Sequence, residues 1–70
     1  MNIKFIGKFI KERRTFLKID QDSLGELSGV SVHTISNIES GRGNPTVEVL
    51  NNILFVLGME LQVRIKGDES

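Results

Sequence analysis

The chain contains no cysteine. That excludes disulfide scaffolds and thiolate metal sites, and it fits a reducing compartment such as the cytoplasm. No apolar run approaches the roughly 20 residues of a membrane span. The first residues, Met1-Asn2-Ile3-Lys4-Phe5, carry neither an h-region nor a cleavage site, so no signal peptide is expected. There is no repeat, linker or low-complexity tract, and a length of 70 residues allows one domain, 1–70. So short a chain buries a modest core, and oligomerisation is a common source of extra stability. His33 is the only histidine and has no second ligand at metal spacing, so neither metal nor cofactor is expected. Serine, histidine and aspartate all occur, but a catalytic triad needs a pocket that this length cannot easily build; no enzyme is expected. Gly41-Arg42-Gly43 follows a predicted helix and reads as a turn, not a phosphate loop.

Net charge is also missing: nine Lys and Arg balance nine Asp and Glu. The sum argues mildly against a nucleic-acid partner, but distribution matters more. Residues 1–20 carry Lys4, Lys8, Lys11, Arg13, Arg14 and Lys18 against Glu12 and Asp20, a balance of +4. Residues 21–60 carry Arg42 against Asp22, Glu26, Glu39, Glu48 and Glu60, a balance of −4. A basic first helix is placed to face phosphates; a solvated helix face is the alternative reading of the same charges.

What is present is helical periodicity with clear punctuation. Ile6 to about Lys18 reads as a helix, with Ile6, Ile10 and Leu17 on one stripe and Phe5, Phe9 and Phe16 on another. Those aromatics read either as core or as a partner surface. Asp20 is a candidate N-cap for a second helix, Gln21 to about Ser28, and Ser31 caps a third in the same way. Ser40 to Pro45 is a loop, with Gly41 a natural left-handed helix stop. Thr46 is the expected N-cap of a fourth helix ending near Leu57-Gly58. Its inward stripe is Val47, Leu50, Ile53, Leu54 and Leu57. Val49, Val56 and Phe55 are apolar surface beyond one small core, which points to a partner.

The stretch Ser31 to Glu39 carries most information. Ile35 and Ile38 share one helix face, while His33, Ser36 and Asn37 fall on the other. A short helix, a turn at Ser28-Gly29-Val30 and a second helix with a polar outer face make a helix-turn-helix, whose second helix lies in the DNA major groove. Asn37 suits bidentate contact with adenine, His33 donates to guanine, and Val32 is placed to touch a thymine methyl. Ser36 reaches a base or a phosphate. Gln21 and Ser31 at helix starts, with Arg42 and Asn44 in the following loop, are the candidate phosphate contacts. Taken alone, His33 and Asn37 also read as ordinary surface polar residues.

The period then changes. Met59, Leu61, Val63 and Ile65 alternate with polar residues, which predicts a C-terminal β-strand over 59–66. A lone strand needs a ladder partner: residues 2–5, or the same strand of a second subunit across a two-fold axis. Leu61, Val63 and Ile65 therefore join Val49, Phe55 and Val56 as expected dimerisation residues. Residues 67–70 read as a flexible tail.

Gln21-Asp22-Ser23-Leu24-Gly25-Glu26-Leu27-Ser28-Gly29-Val30-Ser31, then Thr34 to Gly41, then Asn44-Pro45-Thr46, resembles the Cro/C1-type (Xre) helix-turn-helix family. The resemblance runs from about Ile6 to Gly58. It implies a mainly α, lambda-repressor-like bundle of four to five helices, here with the C-terminal strand added. It also implies a phosphate contact at Gln21, base reading at Val32, His33 and Asn37, and an Arg14–Glu39 ion pair tying the first helix to the third. The alternating tail resembles the antitoxin-repressors of Hip-type toxin–antitoxin operons, which implies a dimer through such strands and a kinase-fold toxin partner. Three positions depart from the family pattern. Gly25 replaces the usual Ala, Arg13 a common Leu, and Lys18 the Gly that often ends the first helix, so that Lys18 is expected at positive φ.

Two functions are consistent with these features. One is a sequence-specific, dimeric DNA-binding repressor of a near-palindromic operator, with an antitoxin role as a further expectation. The other is a protein-interaction module that uses the same scaffold to bind a partner protein rather than DNA.

Overall fold

A computed structural model describes residues 2–67. Among them are four helices: α1 (Ile3–Phe16), α2 (Gln21–Ser28), α3 (Val32–Glu39) and α4 (Val47–Val56). Each starts at a residue whose backbone is extended and whose side-chain oxygen accepts a backbone N–H. Asn2 accepts from Lys4 (3.0 Å), Asp20 from Ser23 (2.7 Å), Ser31 from Thr34 (3.2 Å) and Thr46 from Val49 (3.1 Å). Each cap satisfies one of the donors that a helix start leaves unpaired. The cap at Asn2 sets the start of α1 at Ile3, earlier than the apolar stripe alone suggests.

Each of the four helices closes around one left-handed residue; α2 does so at Gly29, with the Val30 N–H returning to Gly25 C=O (3.2 Å), and the other three share one pattern. The N–H of Ile19 returns to Arg14 C=O (3.1 Å), that of Arg42 to Asn37 C=O (2.8 Å) and that of Met59 to Leu54 C=O (2.8 Å). Between each pair sits one residue at positive φ: Lys18 (59°), Gly41 (77°) and Gly58 (72°). This is the Schellman motif, which pairs the carbonyls a helix end leaves open. Lys18 occupies a conformation that suits glycine, against the usual Cβ penalty.

Ile10 of α1, Leu24 of α2, Ile35 and Ile38 of α3, and Ile53 and Leu57 at the end of α4 are fully buried, with Val30, Leu50 and Leu54 closing the core. α1 packs on α3, and α2 on both α3 and α4. The α1–α3 approach is backbone-close: a Cβ built on Gly7 would stand 1.9 Å from the Ile38 carbonyl oxygen. Leu17 and Val47 are exposed rather than inward, because α1 ends at Phe16 and Val47 is the first residue of α4. Phe5, Phe9 and Phe16 are also exposed and form no part of the core.

The C-terminal strand expected over 59–66 is not formed, and no strand occurs among the described residues. The fold is all-helical. The alternation is present, but of the two expected ladder partners the one within the chain is taken. Residues 3–5 are the first turn of α1, and Met59 is bound into the cap of α4. Met59 and Leu61 pack partly against the core, whereas Val63 is fully exposed and Ile65 largely so. Of the expected flexible tail, 68–70 lie outside the described residues.

Two substitutions separate sterics from propensity. Gly7→Ala ought to stabilise a helix by propensity alone. Here we expect destabilisation of about 1–3 kcal/mol or more, because α1 must move off α3. Lys18→Gly should stabilise by up to about 1 kcal/mol, the relieved Cβ strain being partly offset by the freer unfolded chain. Urea unfolding of the two variants against the parent chain reads both signs.

Candidate functional site

Helix α3 shows two faces. Ile35 and Ile38 anchor it inside, while Val32 and His33 stand exposed and Ser36 and Asn37 half-buried on the outside. The corner that presents it is tight. Gly29 turns at φ 73°, and a Cβ on Gly25 would lie 2.8 Å from the Val30 carbonyl oxygen. That contact gives a steric reason for glycine at position 25: the alanine common at this place would push the turn away.

The four candidate base readers therefore share the outer face of one short helix. Asn37 Nδ2 and His33 Nε2 lie 3.3 Å apart, within hydrogen-bond distance. Ser31 Oγ accepts from the Thr34 N–H and donates to Thr34 Oγ1 (2.9 Å), so it is engaged in capping. Arg42 and Asn44 are exposed on the loop after α3. With Thr34, Asn37, Ile38, Gly43 and Pro45 they line a cavity of about 230 Å³ beside the reading face. A Cβ on Gly41 would lie 2.8 Å from Lys4 Cγ, so a lysine of α1 also comes up to this loop.

Gln21 is half-buried and bonded. Its Nε2 donates to Glu39 Oε1 (3.0 Å). The same carboxylate receives Arg14 Nε at 2.6 Å and Nη2 at 3.1 Å, and Arg14 Nη1 donates to Ile19 C=O at 2.7 Å. The side chains of Arg14 and Glu39 are only 13% and 4% exposed. The carboxylate raises the Arg14 pKa further above its ordinary value, chiefly through this hydrogen bond. Gln21 keeps a second N–H beyond the one given to Glu39.

Sequence reasoning missed Arg13. Its Nε donates to Leu57 C=O at 3.0 Å, closing the end of α4, and its guanidinium lies 5.5 Å from the Phe16 ring centroid. The contact spans 44 positions, so no local period signals it.

The expected dimerisation residues divide. Val49 and Val56 are half-buried and pack on their own core, so the apparent surplus of α4 is partly used within one chain. Phe55 is 82% exposed. Leu61 lines a groove of about 150 Å³ with Phe5, Ile6, Phe9, Leu54, Met59 and Glu60. In it the Phe5 and Phe9 rings meet edge-to-face at 4.8 Å. Among the described residues no group of three His, Cys, Asp or Glu could hold a metal ion, and no helix is long and apolar enough to cross a membrane.

The family model described as helix-turn-helix matches residues 10–63. The chain is 37% identical over 70 residues to repressor protein C2 of Salmonella phage P22, spanning all of this chain and 32% of that protein. It is 30% identical over 60 residues to the ImmF control region 10 kDa protein of Bacillus phage phi105, spanning 86% of this chain and 67% of that one. The crystal structure of the clp gene regulator ClgR from Corynebacterium glutamicum superposes with a TM-score of 0.79 at 25% identity. That match spans 86% of this chain and 64% of the regulator. The chain thus covers about a third of the P22 repressor's length.

Two predictions come from these geometries. Arg14→Ala or Glu39→Ala should each cost about 3–5 kcal/mol, because the partner charge is left desolvated. Thermal melts of both variants would show it, and equality with the parent would show a pair without structural weight. Asp20 supplies the pH term. Its carboxyl is held below the usual range, first by the Ser23 backbone N–H and then by the Ser23 side chain. A folded pKa below the unfolded one adds stability above the unfolded value, and that stability is lost as pH falls through the folded value. Asp20→Asn keeps a good cap and should flatten the acid-side fall in stability. Denaturation midpoints measured from neutral pH to about pH 3 across the Asp range test it.

Proposed function

This chain belongs to the helix-turn-helix family of the Xre/Cro type, and from that premise we propose that it is a sequence-specific, DNA-binding transcriptional regulator acting as a repressor. The observation that carries the reading is the outer face of α3. It presents Val32, His33, Ser36 and Asn37 to the outside on a helix anchored by two buried isoleucines. Such a helix fits the major groove, where side chains of this kind distinguish base pairs. Arg42, Asn44 and Gln21, with the N–H groups at the start of α3 behind Ser31, are the proposed phosphate contacts; they set register and carry no sequence information.

The proposal includes a two-fold dimer that covers Phe55 of α4 and the groove around Leu61, since a single reading helix makes few contacts. It places two such helices about 34 Å apart on a near-palindromic site. The antitoxin role and the kinase-fold toxin are left out. They rested on a tail strand that is not formed, and the relatives carry the names of a phage repressor and a control-region protein.

Selection from random duplex DNA, followed by footprinting, tests the reading. Asn37→Ala and His33→Ala should each reduce discrimination against wrong bases by roughly 1–3 kcal/mol. Arg42→Ala should weaken all sequences alike and lower the slope of log K against log salt by about 1. Phe55→Asp should shift sedimentation toward the monomer. Failure to enrich any sequence, with capture of a partner protein through the exposed phenylalanines instead, would favour an interaction module on the same scaffold.

A further inference from the structure

The two central side chains of the reading face touch each other. They lie four residues apart, one turn along α3, with Asn37 Nδ2 3.3 Å from His33 Nε2; an amide nitrogen only donates, so the contact is a hydrogen bond when Nε2 is the acceptor. A carboxamide has two N–H donors and one carbonyl acceptor. Bidentate contact with adenine uses the carbonyl and one N–H, to N6 and N7. The second N–H is surplus, and the imidazole is the group positioned to take it. For Nε2 to accept, the ring must be neutral with its proton on Nδ1.

The main chain beneath Asn37 is fixed as well. Its carbonyl accepts the N–H of Arg42 at 2.8 Å and of Ser40 at 3.2 Å. Within a given χ1 rotamer, the amide still turns about the last torsion of the side chain. Turned over, the amide exchanges Oδ1 for Nδ2, and the two orientations are close in intrinsic energy. They present opposite donor–acceptor orders to a base edge. A hydrogen bond from Nδ2 to His33 selects one orientation, with Oδ1 directed away from the ring.

Resting on the DNA-reading proposal above, we infer that His33 is a positioning residue for Asn37: it holds the amide in the adenine-reading orientation. The two side chains then read as one unit. The half-site carries an adenine opposite Asn37, and its selection depends on the acceptor at position 33. His33 Nδ1–H remains available as a donor.

Selection from random DNA with the full chain and three variants tests this. Asn37→Ala should erase a preference for adenine at one position, which identifies that position. His33→Ala should keep binding but weaken the adenine preference there by about two- to tenfold, the size expected when one side chain loses its preset orientation. His33→Gln, whose carbonyl can accept the same N–H, should recover much of it. In the Asn37→Ala background, His33→Ala should change nothing further at that position. Additive effects, with the adenine preference intact in His33→Ala, would overturn the inference while leaving DNA reading in place. The ¹⁵N spectrum of the free chain gives a readout without DNA. A His33 ring protonated on Nδ1, with Nε2 unprotonated, is expected, and the opposite tautomer overturns the inference. If the parent chain selects no sequence, the DNA proposal falls and this inference falls with it.

Discussion

Arg14 reaches from the last turn of α1 and closes two gaps at once. Its Nε and Nη2 meet the Glu39 carboxylate at the end of α3, and Nη1 holds the Ile19 carbonyl in the α1–α2 turn. Gln21, the first residue of α2, joins through the same carboxylate. A nearly buried glutamate carries a heavy desolvation cost, and three donors converging on it are what make its charge tolerable there. The consequence is geometric. The C-terminal end of α3 cannot rotate without breaking contacts to α1 and α2, so the direction of its outer face is set by this one cluster.

The rest of α3 is fixed by close packing rather than by charge. Gly7 lets α1 come within backbone contact of Ile38, and Gly41 allows the loop after α3 to lie against Lys4. Ile35 and Ile38 fill the space between. With its inner side immobilised over its whole length, α3 has only its outer side left for solvent or a ligand. Rigid presentation on an element of this kind is what a recognition surface needs, because small misplacements forfeit hydrogen bonds. Arg13, the neighbour of Arg14, ties α1 to α4 instead. It bonds the carbonyl of Leu57, the C-cap of α4, in place of one more apolar contact between α1 and the core.

The parts of the fold legible in the sequence were those governed by local chemistry. Asp20, Ser31 and Thr46 are short oxygen-bearing side chains ahead of apolar periods, and they cap the helices found there. Gly41 and Lys18 lie at left-handed positions because a helix end demands one. The outer and inner faces of α3 follow from a period of 3.6. What was not legible depends on distant partners. Alternation at Met59 to Ile65 describes an ability to form a strand, but a strand exists only with a second one beside it, and the candidate partner within the chain is helical. Nothing near Gly7 in the sequence announces the Ile38 carbonyl packed against it. The phenylalanines of α1 fall outside the core because the Gly7 face, not theirs, turns toward α3. The hydrogen bond between Asn37 and His33 is local, yet it emerged only with the rotamers.

The absence of net charge acquires a meaning at this site. No Lys, Arg, Asp or Glu lies on the outer face of α3 between Val32 and Asn37. Arg42, and Lys4 beside Gly41, are cations at the loop that follows. Phosphate attraction grows with the number of cations that displace counterions, and it is blind to sequence. On the proposed function, a chain built this way keeps the non-specific term small and leaves discrimination to hydrogen bonds at the base edges. Such bonds reward correct bases only if the donors and acceptors are already oriented, since an exposed amide free to turn satisfies several bases almost equally. A weakly charged reading head therefore places its demand on side-chain preorganisation. In this molecule that demand is met from both sides of α3: the Arg14–Glu39–Gln21 cluster fixes the helix, and the imidazole of His33 fixes the amide it carries.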